Sequence, residues 1–431
     1  MTQQQQPLDL RIHLDSPAAT GAKIRVVGVG GGGSNAVNSM IRRGLIGVDF
    51  IVANTDAQAL AVSLAPTKVQ LGKQLTRGLG AGADPTVGQR AVEESIDDVR
   101  DALADSDMIF VTAGMGGGTG TGAAPVIASI GRELGALVVG IVTKPFKWEA
   151  RRRMQVALDG IEQLRQHVDA LIVIPNQRLM DLIERTTSFI EAFQRVDDVL
   201  YNATRGIADI ISGNGYVNVD FADVRTIMKN KGDAIMGIGT ASGEYRAREA
   251  AMNAINSPLL DGISIGGAEG VLVNITARDD VSMAEIGEAV QTIEEAAGEQ
   301  ANLIFGVVFN EELGDALMVT VVATGFGAAA SQNPEFRTTA AKADEVHQQQ
   351  QSQSTRMVAN APHGIVAIPP IGARQLPEAA PIGYEQTAAY ETPAFIRRHD
   401  VGNNSTSNGS PVGSSNKPSS DKPAFLRRIM D

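Results

Sequence analysis

The sequence contains no cysteine, few aromatic residues and no long apolar run. With no cysteine among 431 residues, a disulfide, a thiolate metal site and a cysteine nucleophile are all excluded. No stretch of about 18 apolar residues is free of polar residues or glycine, so we expect no membrane-spanning helix. The N-terminal sequence MTQQQQPLDLRIHLD does not have the pattern of a signal peptide, and the sequence therefore predicts a cytoplasmic protein.

Basic charge is also scarce. The net charge is -12 and the pI is about 5.0, which disfavours nucleic acid and anionic membranes as partners. A phosphate ligand is still compatible with this composition, because backbone N–H groups bind phosphate without a basic surface. The hydrophobic fraction of 43% is sufficient for packed cores, and the length suits two domains with a tail.

Short apolar runs alternate with helical patterns between residues 23 and 188. The runs are brief, rich in Val and Ile, and bounded by Gly, Asp or Pro, as is typical of buried strands. This alternation predicts an α/β fold in which a Rossmann-like parallel sheet carries helices on both faces. The predicted strands are Ile24–Val29, Asp107–Thr112, Leu137–Thr143 and Ala170–Ile174, and the predicted helices include Asn35–Arg43 and Pro125–Leu134.

The rest of the chain divides into five further parts. A polar, disordered extension is predicted at 1–22, a long central helix with its following loop at 189–232, and a second, α+β domain at 233–327. Residues 328–420 are rich in Gln, Ser, Asn and Pro and are predicted to be a disordered linker, because they cannot bury enough apolar surface to repay their ordering entropy. The last part, 421–431, reads DKPAFLRRIMD, and its apolar residues have helical spacing.

Two glycine clusters stand at strand–helix junctions of the first domain. The first, GVGGGGSN at 28–35, fits the pattern G-x-G-x-x-G through Gly28, Gly30 and Gly33. Glycine lets the backbone approach a phosphate, and the helix that follows adds the positive end of its dipole. Alone, this cluster is compatible with a mononucleotide site, with a tight turn, or with a Rossmann dinucleotide site for which Asp56 is the candidate ribose ligand.

The second cluster, AGMGGGTGTG at 113–122, follows another predicted strand of the same sheet. A Rossmann dehydrogenase has no use for a second phosphate-sized loop, whereas two loops that close on one polyphosphate suit a nucleoside triphosphate. Thr119 and Thr121 offer hydroxyl groups there. No G-x-x-x-x-G-K-[ST] motif is present, so the phosphate charge must be met by backbone N–H groups, helix dipoles and Mg²⁺.

The run GGGTGTG resembles the signature of the tubulin/FtsZ superfamily, and other segments resemble the FtsZ family of bacterial cell division proteins specifically. The match extends over residues 23–327, and DKPAFLRRIMD resembles the C-terminal peptide of that family. The similar segments are GVGGGGSNAVN at 28–38, VANTDAQAL at 52–60, LTRGLGAGADPTVG at 75–88, NVDFADVRTIM at 218–228 and KGDAIMGIGTASGE at 231–244.

The resemblance implies a GTP or GDP site on the first domain. Asp197 on the long helix would read guanine, since a carboxylate can accept from the adjacent N1–H and N2–H groups, and Asp198 is the alternative. Glu149 and Arg153 would contact the ribose side. Mg²⁺ would be held by phosphate and water rather than by a dedicated protein site. The residues implied to hold the phosphates are Gly31, Gly32, Gly33, Ser34, Asn35, Gly118, Thr119 and Gly120, and those implied to sense the γ-phosphate are Ala81, Gly82 and Ala83.

A further segment, NVDFAD at 218–223, has two interpretations. From the residues alone, Asp220 is a good N-cap and Asp223 a good N3 residue for the helix that follows. The resemblance implies instead that this loop, with Asn218, inserts into the next subunit, where its carboxylates position the water that attacks the γ-phosphate. Both interpretations can hold together, because a capped helix fixes the acids rigidly.

The resemblance implies an assembling GTPase whose head-to-tail protofilaments form the cytokinetic ring at mid-cell. Membrane-anchoring and regulatory division proteins would bind to Pro423–Asp431, and the related Pro393–Arg398 is a second candidate for this role. We expect no nucleic-acid partner and no direct insertion of the protein into the membrane. The alternatives are a nicotinamide or flavin oxidoreductase, a filament protein that only binds nucleotide, and a plasmid-segregation relative of tubulin. The linker and its terminal peptide favour the division protein.

Overall fold

The computed structural model describes residues 21–180, 187–212, 215–260 and 262–326. The described residues belong to one compact unit. The predicted linker at 328–420 and the peptides Pro393–Arg398 and Pro423–Asp431 lie outside the described residues, as does nearly all of the extension at 1–22.

Strands and helices alternate through the first half of the chain, as the apolar pattern predicts. The strands are β1 Ile24–Val29, β2 Asp49–Asn54, β3 Thr67–Gln70, β4 Met108–Gly114, β5 Leu137–Lys144, β6 Ala170–Pro175, β7 Gly232–Ser242, β8 Gly270–Ala277, β9 Asn302–Phe309 and β10 Ala316–Thr324. The helices are α1 Gly30–Arg42, α2 Ala57–Ala61, α3 Lys73–Thr76, α4 Pro85–Glu94, α5 Ile96–Leu103, α6 Thr119–Glu133, α7 Arg151–Arg165, α8 Asn176–Leu179, α9 Phe189–Ile211, α10 Phe221–Met228, α11 Arg246–Ile255 and α12 Met283–Ala297. Short 3-10 helices lie at Lys147–Glu149, Pro258–Leu260 and Glu311–Leu313.

The ten strands form one sheet in the order β3-β2-β1-β4-β5-β6-β7-β10-β8-β9. β1 to β6 pair in parallel, and β7 continues parallel to β6 from Ala170↔Gly232 to Ile172↔Ala234. β10 then runs antiparallel between β7 and β8. The fold is therefore of the predicted α/β class. The half of the sheet from β3 to β6 is parallel, and the half from β7 to β9 is mixed.

Both faces of the parallel sheet are buried, which is why its strands read as continuous apolar runs. On β1, Ile24 and Val26 belong to one core cluster, whereas Val27 and Val29 belong to the cluster on the opposite face. A third cluster fills the space between the mixed sheet and helices α11 and α12. The parallel edge that carries the carboxyl ends of β1, β4, β5 and β6 is thus held rigidly from both sides.

Helix α9 packs between the two halves of the sheet. Ser188 caps its start and exchanges hydrogen bonds with Glu191 in a capping box. Its buried side chains include Val196, Leu200 and Ile207, which recur at helical spacing. Gly206 allows close approach to β10, because an added Cβ would lie 2.8 Å from Thr320 Cγ2. No helix within the described ranges is long and apolar enough to cross a membrane.

Helices α1 and α6 begin earlier than the sequence predicts. The expected starts are Asn35 and Pro125, but the helices begin at Gly30 and Thr119, so each glycine cluster supplies the first turn of its helix. Glycine has a poor helix propensity, which hides these turns from a sequence pattern. Tertiary packing overrides that propensity, since Gly30 and Gly33 of α1 and the whole first turn of α6 are buried.

Candidate functional site

The two glycine clusters meet at the carboxyl edge of the parallel sheet. Gly30 has a φ of +69°, and a Cβ there would lie 2.7 Å from the backbone N of Gly120. A Cβ on Gly33 would lie 2.4 Å from Thr112 O on the neighbouring strand. Only glycine permits these approaches, and they bring the N-termini of α1 and α6 to one point. Two helix N-termini aimed at one place favour an anionic ligand there.

The loop that contains Ala81, Gly82 and Ala83 closes on the second cluster. The backbone N–H of Gly118 donates to Gly82 O at 3.1 Å, and a Cβ on Gly118 would lie 2.5 Å from the same oxygen. Asp84 then caps α4 by accepting from Thr86 N. That hydrogen bonding to Thr86 lowers the pKa of the exposed Asp84 carboxyl. Three chain segments therefore line one corner of the edge.

The hydroxyl groups of these loops are engaged in holding the loops together. Thr119 and Thr55 share a hydrogen bond of 2.6 Å between their Oγ1 atoms, and Thr121 Oγ1 accepts from Gly116 N at 2.8 Å. Ser34 Oγ donates to Gly30 O at 2.7 Å inside α1. The site thus offers phosphate mainly backbone groups and helix dipoles, as the missing P-loop lysine requires.

A cleft of about 260 Å³ opens beside the glycine clusters. It brings together five of the residues proposed from the sequence, from the first cluster, the start of α7 and helix α9. Its lining comprises Gly32, Asn35, Gly114, Met115, Thr143, Pro145, Glu149, Arg153, Asn176, Phe193, Val196, Asp197 and Leu200. The other predicted nucleotide-binding residues lie in the adjoining loops and first helical turns rather than in this lining: Gly31, Gly33, Ser34, Ala81, Gly82, Ala83, Gly118, Thr119 and Gly120.

Glu149 and Arg153 hold one wall of the cleft. Glu149 is only 9% exposed; its Oε1 accepts from Phe146 N at 2.8 Å and its Oε2 pairs with Arg153 Nη1 at 3.2 Å. The Arg153 side chain is half-exposed, so it can reach a ligand from a fixed base. Between them the backbone of Ala150 has a φ of +86°, a conformation that disfavours any side chain, so this wall carries backbone strain.

Asp197 and its neighbour Asp198 have different surroundings. Asp198 forms an ion pair with Arg43 and a longer one with Arg195 at 3.8 Å. Asp197 faces the cleft, and within the described part of the chain it forms neither a hydrogen bond nor an ion pair. Burial and the charge of Asp198 raise the pKa of Asp197 to about 6, against the opposing charges of Arg42 and Arg43. A desolvated carboxylate without a partner suits two adjacent N–H donors of a ligand.

The cleft also contains residues that sequence reasoning missed. Asn176 is buried at the end of β6, and its Oδ1 has no hydrogen-bond partner within the described ranges. Phe193 presents its ring to the cleft and packs edge-on against Phe146 at 5.5 Å. An unpaired amide and an aromatic face are the groups that recognise a purine base. The signal in the sequence is that Asn176 directly follows a parallel strand, where α/β proteins bind ligands.

The remaining predicted residues lie at the opposite end of α9. Asp220 caps α10 by accepting from Ala222 N at 3.1 Å, and Asp223 lies in the first turn of that helix. The Asn218 side chain closes a turn by bonding both N and O of Gly215 at 2.9 Å. Both carboxylates are exposed, and about 21 Å of helix separates Asp197 from Ile211, where α9 ends. They cannot reach the cleft of their own chain.

Candidate metal ligands do not cluster in the part of the chain that the structure describes. There, no group of three or more His, Cys, Asp or Glu side chains is arranged to hold an ion. Asp56, the candidate ribose ligand of a dinucleotide site, caps α2 instead, accepting from Gln58 N and Ala59 N. Its carboxylate is thus engaged in capping a helix.

The fold and the cleft define a nucleotide-binding α/β protein, and comparison with known proteins defines its class. Residues 23–184 match the family model "Tubulin/FtsZ family, GTPase domain", and residues 232–327 match "FtsZ family, C-terminal domain". An empty FtsZ dimer from M. jannaschii superposes with a TM-score of 0.69 at 44% identity, over 72% of this chain and 90% of that one. CetZ2 from Haloferax volcanii, in a GTPγS-bound protofilament, gives 0.62 at 20% identity, over 75% and 99%, and shares the fold.

The chain belongs to the FtsZ family. Its first domain is a tubulin-type GTPase domain, and the reaction is the hydrolysis of GTP. The oxidoreductase alternative is thereby set aside, in agreement with the engaged carboxylate of Asp56.

Proposed function

We propose that GTP occupies the cleft and the adjoining glycine loops, with guanine at Asp197 and the phosphates at the N-termini of α1 and α6. Asp197 would accept from guanine N1–H and N2–H, while Asn176 would meet the opposite edge of the base. Arg153, supported by Glu149, would contact the ribose. The observation that carries this assignment is the unpaired, desolvated carboxylate of Asp197 in the cleft, since it needs two donors.

The phosphates would lie against the backbone of the two clusters. The segments Gly31–Asn35 and Gly118–Gly120 would cradle them, and Ala81, Gly82 and Ala83 would contact the γ-phosphate through the loop that touches Gly118. Mg²⁺ would be held mainly by phosphate oxygens and water; the lack of an acidic cluster in the described ranges is compatible with that arrangement.

Hydrolysis would be completed by a second copy of the chain. Asp220 and Asp223 are exposed, fixed by helix capping and too far from the cleft of their own chain to act there. In a head-to-tail assembly the loop with Asn218 would instead approach the γ-phosphate of the next subunit and orient the attacking water. The dimer of M. jannaschii FtsZ and the protofilament of CetZ2 support assembly of this kind.

In the cell, the protofilaments would form the cytokinetic ring at a bacterial mid-cell division site. Pro423–Asp431, and Pro393–Arg398 as a second candidate, would bind membrane-anchoring and regulatory proteins as short amphipathic helices. Removal of residues 421–431 from the otherwise complete chain should abolish binding to such partners. GTP turnover and sedimentation of the polymer with GTP should not change, and a loss of that sedimentation would contradict this role.

The assembly proposal is tested by measuring GTP turnover per molecule against protein concentration. Turnover should rise steeply above a threshold concentration, because each site needs acids from a neighbour. In sedimentation experiments, polymer should pellet with GTP but not with GDP or without nucleotide. A turnover per molecule that does not depend on concentration would sink the proposal and favour the capping interpretation of Asp220 and Asp223.

A further inference from the structure

An arginine outside the cleft contacts the helix that carries the proposed guanine reader. Arg43 directly follows α1 and does not belong to the lining of the cleft. Its guanidinium lies over the ring of Tyr201, 5.2 Å from the centroid, and forms an ion pair with Asp198. Tyr201 is buried on α9, so the cation rests on a fixed ring. Arg43 therefore reaches the residue next to Asp197 without lining the site itself.

Asp198 places a like charge beside Asp197. The two residues are consecutive on α9, and the Asp198 side chain is only 21% exposed, so solvent screens its charge poorly. A neighbouring anion disfavours the ionised form of a carboxyl group. Arg195 is the other cation paired with Asp198, but its guanidinium lies 3.8 Å away on a mostly exposed side chain. Most of the neutralisation of Asp198 therefore depends on Arg43.

The other charged groups around the cleft leave this balance to the end of α1. Glu149 and Arg153, on the α7 wall of the cleft, form an ion pair with each other, so their charges largely cancel. Burial raises the pKa of Asp197 most, the neighbouring carboxylate adds to that rise, and Arg42 and Arg43 oppose it. Asp197 therefore depends on these two arginines for its counter-charge.

We propose that Arg43 is a positioning residue for base recognition, which neutralises Asp198 and thereby keeps the carboxylate of Asp197 ionised for guanine. The inference rests on the proposed guanine site and adds the residue that sets its charge. An ionised carboxylate accepts on both oxygens and so matches the N1–H and N2–H groups of guanine. A protonated carboxyl group turns one oxygen into a donor, which would face the N2 amino group donor to donor.

The ratio of GTP affinity to ITP affinity measures this charge. Hypoxanthine, the base of ITP, presents N1–H but has no amino group at C2, so only GTP makes the second hydrogen bond. The two nucleotides share their ribose and triphosphate, so the titration of the phosphates cancels in the ratio. The ratio should fall towards acid pH with its midpoint near the pKa of Asp197, about 6. Both affinities are measured by equilibrium titration of the full-length protein below the assembly threshold.

Removing the charge of Arg43 should move this midpoint. Arg43→Met keeps an unbranched side chain that can pack on Tyr201 but loses the cation, so the midpoint should rise by about one pH unit. Arg43→Lys keeps the charge and should keep the wild-type midpoint. Arg100→Met is the matched control, because Arg100 is 43% exposed like Arg43 but pairs with Glu133, which is not part of the cleft lining. It should leave the midpoint unchanged.

A second substitution separates this role from a structural one. Asp198→Asn removes the like charge, so alone it should lower the midpoint, and combined with Arg43→Met it should bring the midpoint back to the wild-type value or below it. If the ion pair only tied α1 to α9, either substitution would break the same contact. Each would then weaken GTP and ITP binding alike and leave the midpoint of the ratio unchanged.

Three results would count against the proposal. A midpoint in Arg43→Met equal to that of the wild type would overturn it and leave the guanine assignment standing. A midpoint that Asp198→Asn does not lower would do the same, and this variant decides the question if Arg43→Met does not fold. If the wild-type ratio of GTP to ITP affinity does not change with pH, Asp197 is not the guanine reader, and the proposed site fails together with the inference.

Discussion

The two ends of helix α9 contribute to the proposed reaction in different ways. At its N-terminal end, three loops and a cleft are packed so closely that a methyl group added at Gly30 or Gly118 would collide with backbone atoms. At its C-terminal end, Asp220 caps a short helix and Asp223 lies in its first turn, and both carboxylates are exposed. The difference between the two ends supports the proposal that the binding site is built within one chain and that hydrolysis needs a second one.

The largest effect should come from the acid end. Asp223→Ala should lower GTP turnover by about 10²–10⁴-fold, because the attacking water loses its orienting carboxylate. GTP affinity, measured by equilibrium titration below the assembly threshold, should not change. Asp279→Ala, which removes another exposed acid away from the loop, is the matched control and should retain turnover. Loss of GTP binding in Asp223→Ala would show that the residue is only structural.

At the cleft end, Asp197→Asn should exchange base specificity. An Asn side chain accepts from N1–H but presents an amide donor where guanine also donates, so affinity for GTP should fall by about 10–100-fold. Xanthine carries a carbonyl at that position, and affinity for XTP should rise. Asp198→Asn, which alters the residue paired with Arg43, should change neither affinity by more than a few-fold. If Asp198→Asn gave the exchange instead, the two assignments would be reversed.

The close contact between Gly118 and the loop of Gly82 should contribute to the free energy of unfolding of the nucleotide-free protein. Gly118→Ala places a Cβ 2.5 Å from Gly82 O, and the free energy of unfolding should fall by about 1–3 kcal/mol. Gly117→Ala has open space around its added Cβ and should change that free energy by less than about 0.5 kcal/mol. Denaturant titration of the two variants in parallel decides the point; equal stabilities would mean that the loops do not pack closely in solution.

A glycine in place of Ala150 should relieve the backbone strain in the wall of the cleft. Ala150 has a φ of +86° and a ψ of 144°, a region that glycine adopts at little cost. We expect Ala150→Gly to raise the free energy of unfolding by about 1 kcal/mol, although glycine also gains entropy in the unfolded chain. Ala222→Gly, in the first turn of α10 at the acid end, should lower it. A destabilised Ala150→Gly would show that the wall is not strained.

The smallest effect concerns pH. The pKa of Asp197 is raised to about 6, so the folded protein binds a proton there that the unfolded chain, with its lower pKa, has already released. The free energy of unfolding without nucleotide should therefore fall by about 1 kcal/mol as pH rises from about 4 to about 6. GTP affinity should weaken below pH 6, where the carboxyl becomes protonated. Asp197→Asn should lack this part of the pH dependence, and an unchanged profile in that variant would contradict the assignment.

Much of the fold follows from local pattern, because strands buried on both faces must be apolar throughout. β1 was predicted with the bounds that it has, and β4, β5 and β6 were predicted to within two residues. The starts of α1 and α6 were not predicted, because a run of glycines has a poor helix propensity and is helical here only through packing. β2 carries the same apolar signal but was not predicted, and β3 was not predicted because this edge strand reads TKVQ and buries only Val69 fully.

The site could be predicted from sequence only in part. Glycine spacing and family resemblance lead to the loops, but they do not separate Asp197 from Asp198, a distinction that depends on which carboxylate Arg43 neutralises. Asn176 has no motif of its own, and its unpaired amide is a property of the folded cleft. Nothing in the sequence around Ala150 indicates strain, yet the backbone there has a φ of +86°, which suits glycine.

The measurement that tests the central claim most directly mixes two inactive variants. Asp223→Ala keeps the cleft and lacks the acid, whereas Asp197→Ala keeps the acids and lacks the guanine reader. If acids act on the cleft of a neighbour, an equimolar mixture should recover GTP turnover at the contacts where an Asp197→Ala loop meets an Asp223→Ala cleft. A mixture as inactive as its two components, at concentrations where both sediment together, would contradict an active site shared between two chains.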